Sequence, residues 1–259
     1  MFDLKIVVEA AALSCLFLLE HYIPFIRTSI NRWSHAARNL GAGFINFLMV
    51  AVLFSGAIYL SASWTARQGT GLLNLVEVPE PIRWGAALVL LDLWMYVWHW
   101  VNHNLSWLWL FHRMHHTDRS MDVTTAVRFH PGEIALSTAA KLAVIPLLGL
   151  EIKHLLLYET IIQPVILFHH SNVRVPERWD RLLRAVIVTP RMHRTHHSDV
   201  VEETNSNYST VLSVWDRAAR TFRLREDPKT VQYGVREFSG ETWQNFLGMM
   251  RTPFAGARP

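Results

Sequence analysis

The stretch from Leu40 to Ser63 carries no charged residue at all, and three further apolar runs accompany it. At ~1.5 Å per helical residue, about 20 apolar residues cross a ~30 Å hydrocarbon core. Leu4 to Ile26 is long enough, although Glu9, Glu20 and His21 interrupt it. Ile82 to Asn104 is apolar through Leu91 and then meets Asp92, His99 and His103. Ile134 to Phe168 breaks near Gly149, Glu151 and Lys153, which predicts a hairpin of two helices near the lower length limit for spanning. The expectation is an all-α, multi-pass membrane helix bundle of four to five segments, at 4–26, 40–63, 82–104, 134–149 and 152–168, forming a single domain over 1–259. A composition of 51% hydrophobic and 18% charged residues, with 11 Trp and 13 Phe, suits a membrane solvent better than water. A cleaved signal peptide is the rival reading of the first window. No basic segment precedes that window and no small-x-small site follows it.

Charge in the loops gives an orientation. Arg27, Arg32 and Arg38 fill the first loop without an acid, whereas Thr65 to Pro81 sets one Arg against Glu77 and Glu80. The positive-inside rule puts the first loop in the cytoplasm, and counting crossings puts Ser106 to Gly132 and the segment from Arg174 onward there too. A net charge of +4, spread through loops rather than gathered in one run, argues against nucleic acid as a partner and for an anionic membrane surface.

Most of the 14 histidines lie between His99 and His197, in the patterns His99-x3-His103, His112-x2-His115-His116, His169-His170 and His193-x2-His196-His197. Two H-x-x-H-H copies would arise by chance in roughly one chain in a thousand at this histidine frequency. Positions i, i+3 and i+4 share a helix face, so each pattern is expected to aim its imidazoles at one point. Nine imidazoles exceed what a single ion takes, so two metals are implied. Imidazole suits zinc, copper, iron or nickel alike. Neither H-x-x-H-H copy contains the carboxylate a hydrolytic zinc site would use, and a b-type haem would leave most of these residues idle. One Cys excludes thiolate clusters. Asp92, Tyr96, His99 and His103 fall at i, i+4, i+7 and i+11 on one stripe, so Asp92 is expected to support a ligand by accepting its second ring N–H; the alternative is an Asp92–Tyr96 pair between helices.

The three boxes, His99-Trp-Val-Asn-His103, His112-Arg-Met-His115-His116 and His193-Arg-Thr-His196-His197, resemble those of the integral-membrane fatty acid hydroxylase and sterol desaturase superfamily. The resemblance covers about 92–222 and includes His170-Ser-Asn172, Asn207-Tyr208 and Leu212-Ser-Val-Trp215-Asp216-Arg217. It implies a dimetal centre, usually diiron, in a cytosolic histidine-rich cap, using O2 as co-substrate to hydroxylate or desaturate a lipid, fatty acid or sterol C–H bond. By this carry-over the ligands are His99, His103, His112, His115, His116, His170, His193, His196 and His197. His169 reads as a polar residue at a helix end rather than a supporting donor. His130 is read equally as a support to a ligand or as a surface residue. Asn207 and Tyr208 bond a ligand or form a turn, and Trp215 and Asp216 seat the C-terminal segment.

The expected cofactor is two iron ions, which zinc can replace during purification because it binds imidazole more tightly than Fe(II). No haem or flavin domain accompanies the boxes, so electrons are expected from a separate ferredoxin, cytochrome b5 or reductase. Arg174, Arg178, Arg181 and Arg184 recur near helical spacing and read as a helix on anionic headgroups in preference to a dock for that donor. A bacterial inner membrane and an endoplasmic reticulum both fit. The alternative function is a metal-binding or metal-transport membrane protein without turnover; it would want polar residues at midplane on several helices, where only Asp92 and Glu9 qualify.

Overall fold

The computed structural model describes residues 2–256, and every regular element among them is helical. Three isolated bridges, including Pro24 with Val173, are the only strand-like pairings among the described residues. The long helices are α1 (Phe2–Tyr22), α2 (Arg32–Met49), α3 (Ser55–Gln68), α4 (Glu80–Asn104), α5 (Ser106–His116), α6 (Pro131–Leu148) and α7 (Ile152–His170). Two short helices follow, α8 (Glu177–Leu183) and α9 (Pro190–His196), and then irregular chain with brief helical turns.

Local chemistry sets these boundaries. Asn31 caps α2 by accepting from the Ser34 N–H at 3.0 Å, and proline stands in the first turn of α4, α6 and α9, where its missing N–H costs nothing. Gly69 and Gly149, at φ 62° and 80°, close α3 and α6 in the left-handed region. The Gly149 turn makes the α6–α7 hairpin expected from the break in the fourth apolar run. The helix that holds the charge-free run is longer than expected: α2 passes through a π-helical segment, Val50–Phe54, straight into α3, so helix extends from Arg32 to Gln68. The first helix, by contrast, stops at Tyr22, ahead of Pro24, rather than continuing to Ile26.

By length and composition two stretches can cross a membrane, Arg32–Asn74 and Pro131–Leu148. Helices α1, α4 and α7 coincide with the other expected windows and carry interrupting ionisable residues. α1 packs along α7, α3 on α6, and α4 on α5 and α7, around a core of Ala62, Leu91, Ile145, Leu155, Tyr158 and Ile162. The outer faces stay apolar and uncovered: Val7 and Leu18 on α1, Val52 at 77% and Leu60 at 63% exposure along α2–α3, and Val89 and Trp100 on α4. These side chains form an uncovered apolar surface along the outside of the bundle.

Every histidine box sits at one end of the bundle. There the end of α1 meets the chain after α7, with Glu20 accepting from the N–H groups of Val123 and Asn172 at 2.7 Å each and from Arg32 at 2.7 Å. Arg119 pairs with Glu241 at the same end. Gly69, Gly71 and Gly149 lie at the opposite end, where Arg83 donates to Asn74 at 2.6 Å.

Candidate metal centre

α4 ends in the first box, α5 is the second, and α9 carries the third, running into His197 as its cap. Their side chains, with His170 from the end of α7, form two groups. His99, His103, His112, His116 and His196 make one; His115, His170, His193 and His197 make the other. Within each group the ligating atoms all lie within 4.8 Å of one another. The first box is aimed at a single point, as expected, but the other two are not. The second sends His112 and His116 to one group and His115 to the other, and the third likewise separates His196 from His193 and His197. Helix geometry explains the division: i and i+4 differ by about 40° around the axis, whereas adjacent residues differ by about 100°.

The hydrogen bonds at the far ring nitrogens define the tautomers. His112 Nδ1 lies 2.7 Å from Glu133 Oε1, His99 Nδ1 2.8 Å from the Tyr208 carbonyl, His196 Nδ1 2.6 Å from the Ser206 carbonyl and His170 Nδ1 2.8 Å from the Ile166 carbonyl. His103 Nδ1 is 3.4 Å from Asn205 Oδ1. Each partner is an oxygen that only accepts, so each Nδ1 carries the proton and each Nε2 presents a lone pair inward. This is the arrangement by which protein oxygens orient metal-bound imidazoles.

Inward, the Nε2 atoms crowd together without protons enough to satisfy them. His193 and His170 approach to 2.9 Å, His170 and His115 to 3.1 Å, and His112 and His116 to 3.3 Å. The Nε2 atoms of His99, His103 and His196 are buried with no partner at all. Burial also holds these rings neutral: His196 is pushed down to about 3, and desolvation, reinforced by neighbouring imidazoles, depresses His115, His116, His193 and His197 well below the ordinary value. Neutral, desolvated lone pairs converging in two groups are a donor set suited to two cations.

The residues expected to support the ligands are placed differently. Asp92 touches no histidine. It accepts from the Tyr158 hydroxyl at 3.0 Å, the Trp215 indole at 2.8 Å and the N–H groups of Val211 and Leu212 at 3.1 and 2.9 Å. Sharing a stripe with His99 does not bring it close, because seven residues separate the two by about 10 Å along the axis. Tyr96 does not pair with Asp92 either; its hydroxyl meets Thr221 Oγ1 at 3.0 Å. Trp215 and Asp216 seat the later segment, as read from sequence. Asp216 accepts from the N–H groups of Tyr208 and Ser209 and so holds the Tyr208 carbonyl against His99. Asn207 is the turn-former, at φ 54°, with its amide spanning the carbonyls of Met192 and Arg223. His130 caps α6, accepting from Gly132 N at 2.9 Å. His169 lies in the last turn of α7, at a helix end as expected, and is buried beside His193 with ring centroids 4.1 Å apart. Of the four arginines, Arg174, Arg178 and Arg181 are exposed, whereas Arg184 is turned into ion pairs with Glu177 and Asp180.

Several residues that hold the centre went unread in the sequence. Glu133 is the clearest. It follows the helix-starting Pro131-Gly132 pair, and a Cβ on Gly132 would stand 2.6 Å from Phe111, so glycine is what allows α6 to approach α5 closely enough for the carboxylate to reach His112. A carboxylate at the head of an apolar helix was the available signal. His35 lies far along the chain from every box, in a basic stretch where sequence alone suggests a surface position. It is instead buried, with Nε2 2.9 Å from Asp118 and Nδ1 3.0 Å from Asp122. Buried Arg128 grips the end of α5 through the Met114 carbonyl and Thr117, and buried Arg194 ties α9 to the carbonyls of Ser171 and Val173 at 2.9 Å.

A cavity of about 300 Å³ runs from this centre into the helix bundle. Histidines of both groups border it, His99 and His112 of one and His115, His170 and His193 of the other. Its lining also includes the apolar Met95, Trp98, Ile134 and Ile166 and the polar Ser137 and Gln163, with Phe129 stacked on His115 at a centroid distance of 4.3 Å.

No solved structure matches the chain. Its sequence is similar to the ornithine lipid hydroxylase OlsE of Rhizobium tropici, 30% identical over 169 residues, which is 65% of this chain and 49% of that protein. It is also similar to alkylglycerol monooxygenase of Homo sapiens, 26% identical over 227 residues, 85% of this chain and 48% of the relative, and to that of Danio rerio, 28% identical over 62% of this chain and 35% of the relative. The chain thus spans half or less of the length of these curated relatives. The profile of the fatty acid hydroxylase family covers residues 84–221, from the first turns of α4 through the last box to Thr221 beside Tyr96, and the chain belongs to that family.

Proposed function

We propose that this protein is a membrane-bound, O2-dependent lipid hydroxylase with a histidine-ligated diiron centre. The observation that carries the reading is the pair of buried imidazole groups, five and four strong, whose members jointly border one largely apolar cavity. His99, His103, His112, His116 and His196 would hold one ion, and His115, His170, His193 and His197 the other. Bound there, the metal pair would supply the O2 activation that breaking an unactivated C–H bond demands. The protein's own contribution is positional. Glu133 and the carbonyls of Tyr208, Ser206 and Ile166 orient the imidazoles, and the apolar walls align a lipid chain and exclude water. Relatives that are named as hydroxylating or oxygenating lipids support hydroxylation over desaturation.

The exposed apolar faces of α1 to α4 support a multi-pass bundle, and the arginine bias supports a cytoplasmic metal end. α8 would lie at that surface, with Trp179, Leu182 and Val186 exposed among Arg174, Arg178 and Arg181. Electrons would arrive from a separate donor. The test is metal analysis of anaerobically purified protein together with lipid mass spectrometry of cells with and without it. About two iron ions per chain and a product heavier by one oxygen are expected. One ion per chain, or unchanged lipids, would overturn the proposal.

A further inference from the structure

A second cavity meets the metal centre from a different side. It encloses about 550 Å³ between the chain that follows the third box, within 198–205 and 234–238, and the side chains of His103, Trp109 and Arg113. It shares no lining residue with the cavity that enters the bundle. Of the nine grouped imidazoles, His103 alone stands on its wall. Val201, Glu202, Asn205, Arg236 and Glu237 are exposed around it, so water fills it from outside.

His103 is also held differently from its companions. His99, His112 and His196 meet their Nδ1 acceptors at 2.8, 2.7 and 2.6 Å. His103 meets Asn205 Oδ1 only at 3.4 Å, beyond the usual range for a hydrogen bond from nitrogen. The acceptor is an exposed side chain on the wall of the same cavity, where a backbone carbonyl would have been fixed. His103 itself is buried, and its Nε2 has no partner. Trp109 leans on its ring, centroids 4.9 Å apart, and borders the cavity too. One loosely tethered imidazole and one indole therefore stand between water and the five-membered group.

The charged lining consists of three carboxylates and two guanidinium groups, a formal charge of −1. Arg236 pairs with Asp199 at 2.9 Å and Arg225 with Glu203 at 2.9 Å, which leaves Glu202 outside any ion pair among the described residues. Arg113 is turned to the carbonyls of Thr252 and Ala255. A divalent cation would lose its hydration in the largely apolar cavity without gaining polar partners there. The second cavity lets it keep water until an imidazole replaces it.

Resting on the diiron reading above, we propose that this second cavity is the port through which Fe(II) reaches the five-membered group. Glu202 draws the hydrated ion to the rim, and His103 is the first imidazole it meets.

The experiment times iron uptake by the metal-free, detergent-solubilised full chain. Protein and Fe(II) are mixed anaerobically, the reaction is stopped with excess chelator, and iron left on the chain is counted. With Cys15 replaced by Ser, a cysteine at Val201, 67% exposed on the cavity wall, is modified with a bulky neutral maleimide. The modification should slow at least one of the two ions on the order of tenfold. The same modification at Lys229, exposed and outside this cavity, should not. Chains loaded first and modified afterwards should keep both ions, which reports an intact centre. Glu202→Lys changes the formal charge of the lining from −1 to +1 and should slow uptake at least about threefold at low ionic strength, with the difference shrinking in salt. Equal uptake by modified and unmodified Val201→Cys protein overturns the port while leaving the two-ion centre in place. A rate indifferent to Glu202→Lys overturns the part given to that carboxylate. One ion or none on the unmodified protein at the end of the reaction overturns the diiron reading, and this proposal with it.

Discussion

Replacing Glu133 should weaken one metal site and spare the other. Its carboxylate is bonded to a single ligand, His112, at 2.7 Å, and His112 belongs to the five-membered group. Losing the outer partner of a metal-bound imidazole costs about 10- to 100-fold in affinity, or about 1.4 to 2.7 kcal/mol. Glu133→Leu also frees the His112 ring to reorient and leaves its Nδ1 proton buried without an acceptor, so the effect should fall near the upper bound. Glu133→Gln retains an oxygen but not the charge; charge-assisted bonds are about twice as strong as neutral ones, so a loss nearer tenfold is expected. The assay is an anaerobic Fe(II) titration against a competing chelator, with bound iron counted per chain. The unmodified protein should retain about two ions at chelator concentrations where Glu133→Leu retains about one. Equal retention by both proteins would refute the assignment of Glu133 as the residue that orients His112.

Three other outcomes are expected. His35→Ala should lower stability by about 3 kcal/mol, because it strips the shared partner from two buried carboxylates, Asp118 and Asp122; a thermal unfolding curve matching the unmodified protein would refute this. The metal-free protein should lose stability in acid: His196 is held down to about 3, below its ordinary value, so the unfolded chain takes up the proton first, and the stabilisation present above about pH 6.5 declines as pH falls toward 3. A midpoint constant between pH 7 and pH 4 would contradict it. Finally, with exposed Cys15 replaced by Ser, single cysteines at Ser34, Arg119 and Gly240 should react with an impermeant reagent from the cytoplasmic side and one at Gly69 only from the other. Labelling of Arg119 and Gly240 from opposite faces would contradict the contact between Arg119 and Glu241.

What could be read directly from the sequence is what short-range periodicity encodes. The helices and the α6–α7 turn follow from apolar runs and Gly149, and eight of the nine imidazoles lie at spacings of three and four, whereas His170 joins them only through the family resemblance. What could not be read was set across long sequence separations. His99 is fixed by a carbonyl 109 residues away and His103 by Asn205, 102 residues away, and a backbone oxygen leaves no mark in the residue code. Asp92 was misassigned because a stripe records angle around a helix and not height along it. His35 looked remote because its carboxylate partners lie 83 and 87 residues downstream.

The division of α5 and α9 between both groups bears on how the ions arrive. Each helix serves two clients, so ordering it for the first ion orders it for the second. The conformational entropy lost in setting His112 and His116 also sets His115, and the same holds for His196 beside His193 and His197. Uptake should therefore be positively cooperative, with an isotherm steeper than two independent hyperbolas. In the unmodified protein half-loaded chains would be fewer than independent sites allow, whereas a variant with one group weakened, such as Glu133→Leu, would populate them. Such coupling would leave few chains in which one group of imidazoles is filled beside an empty one.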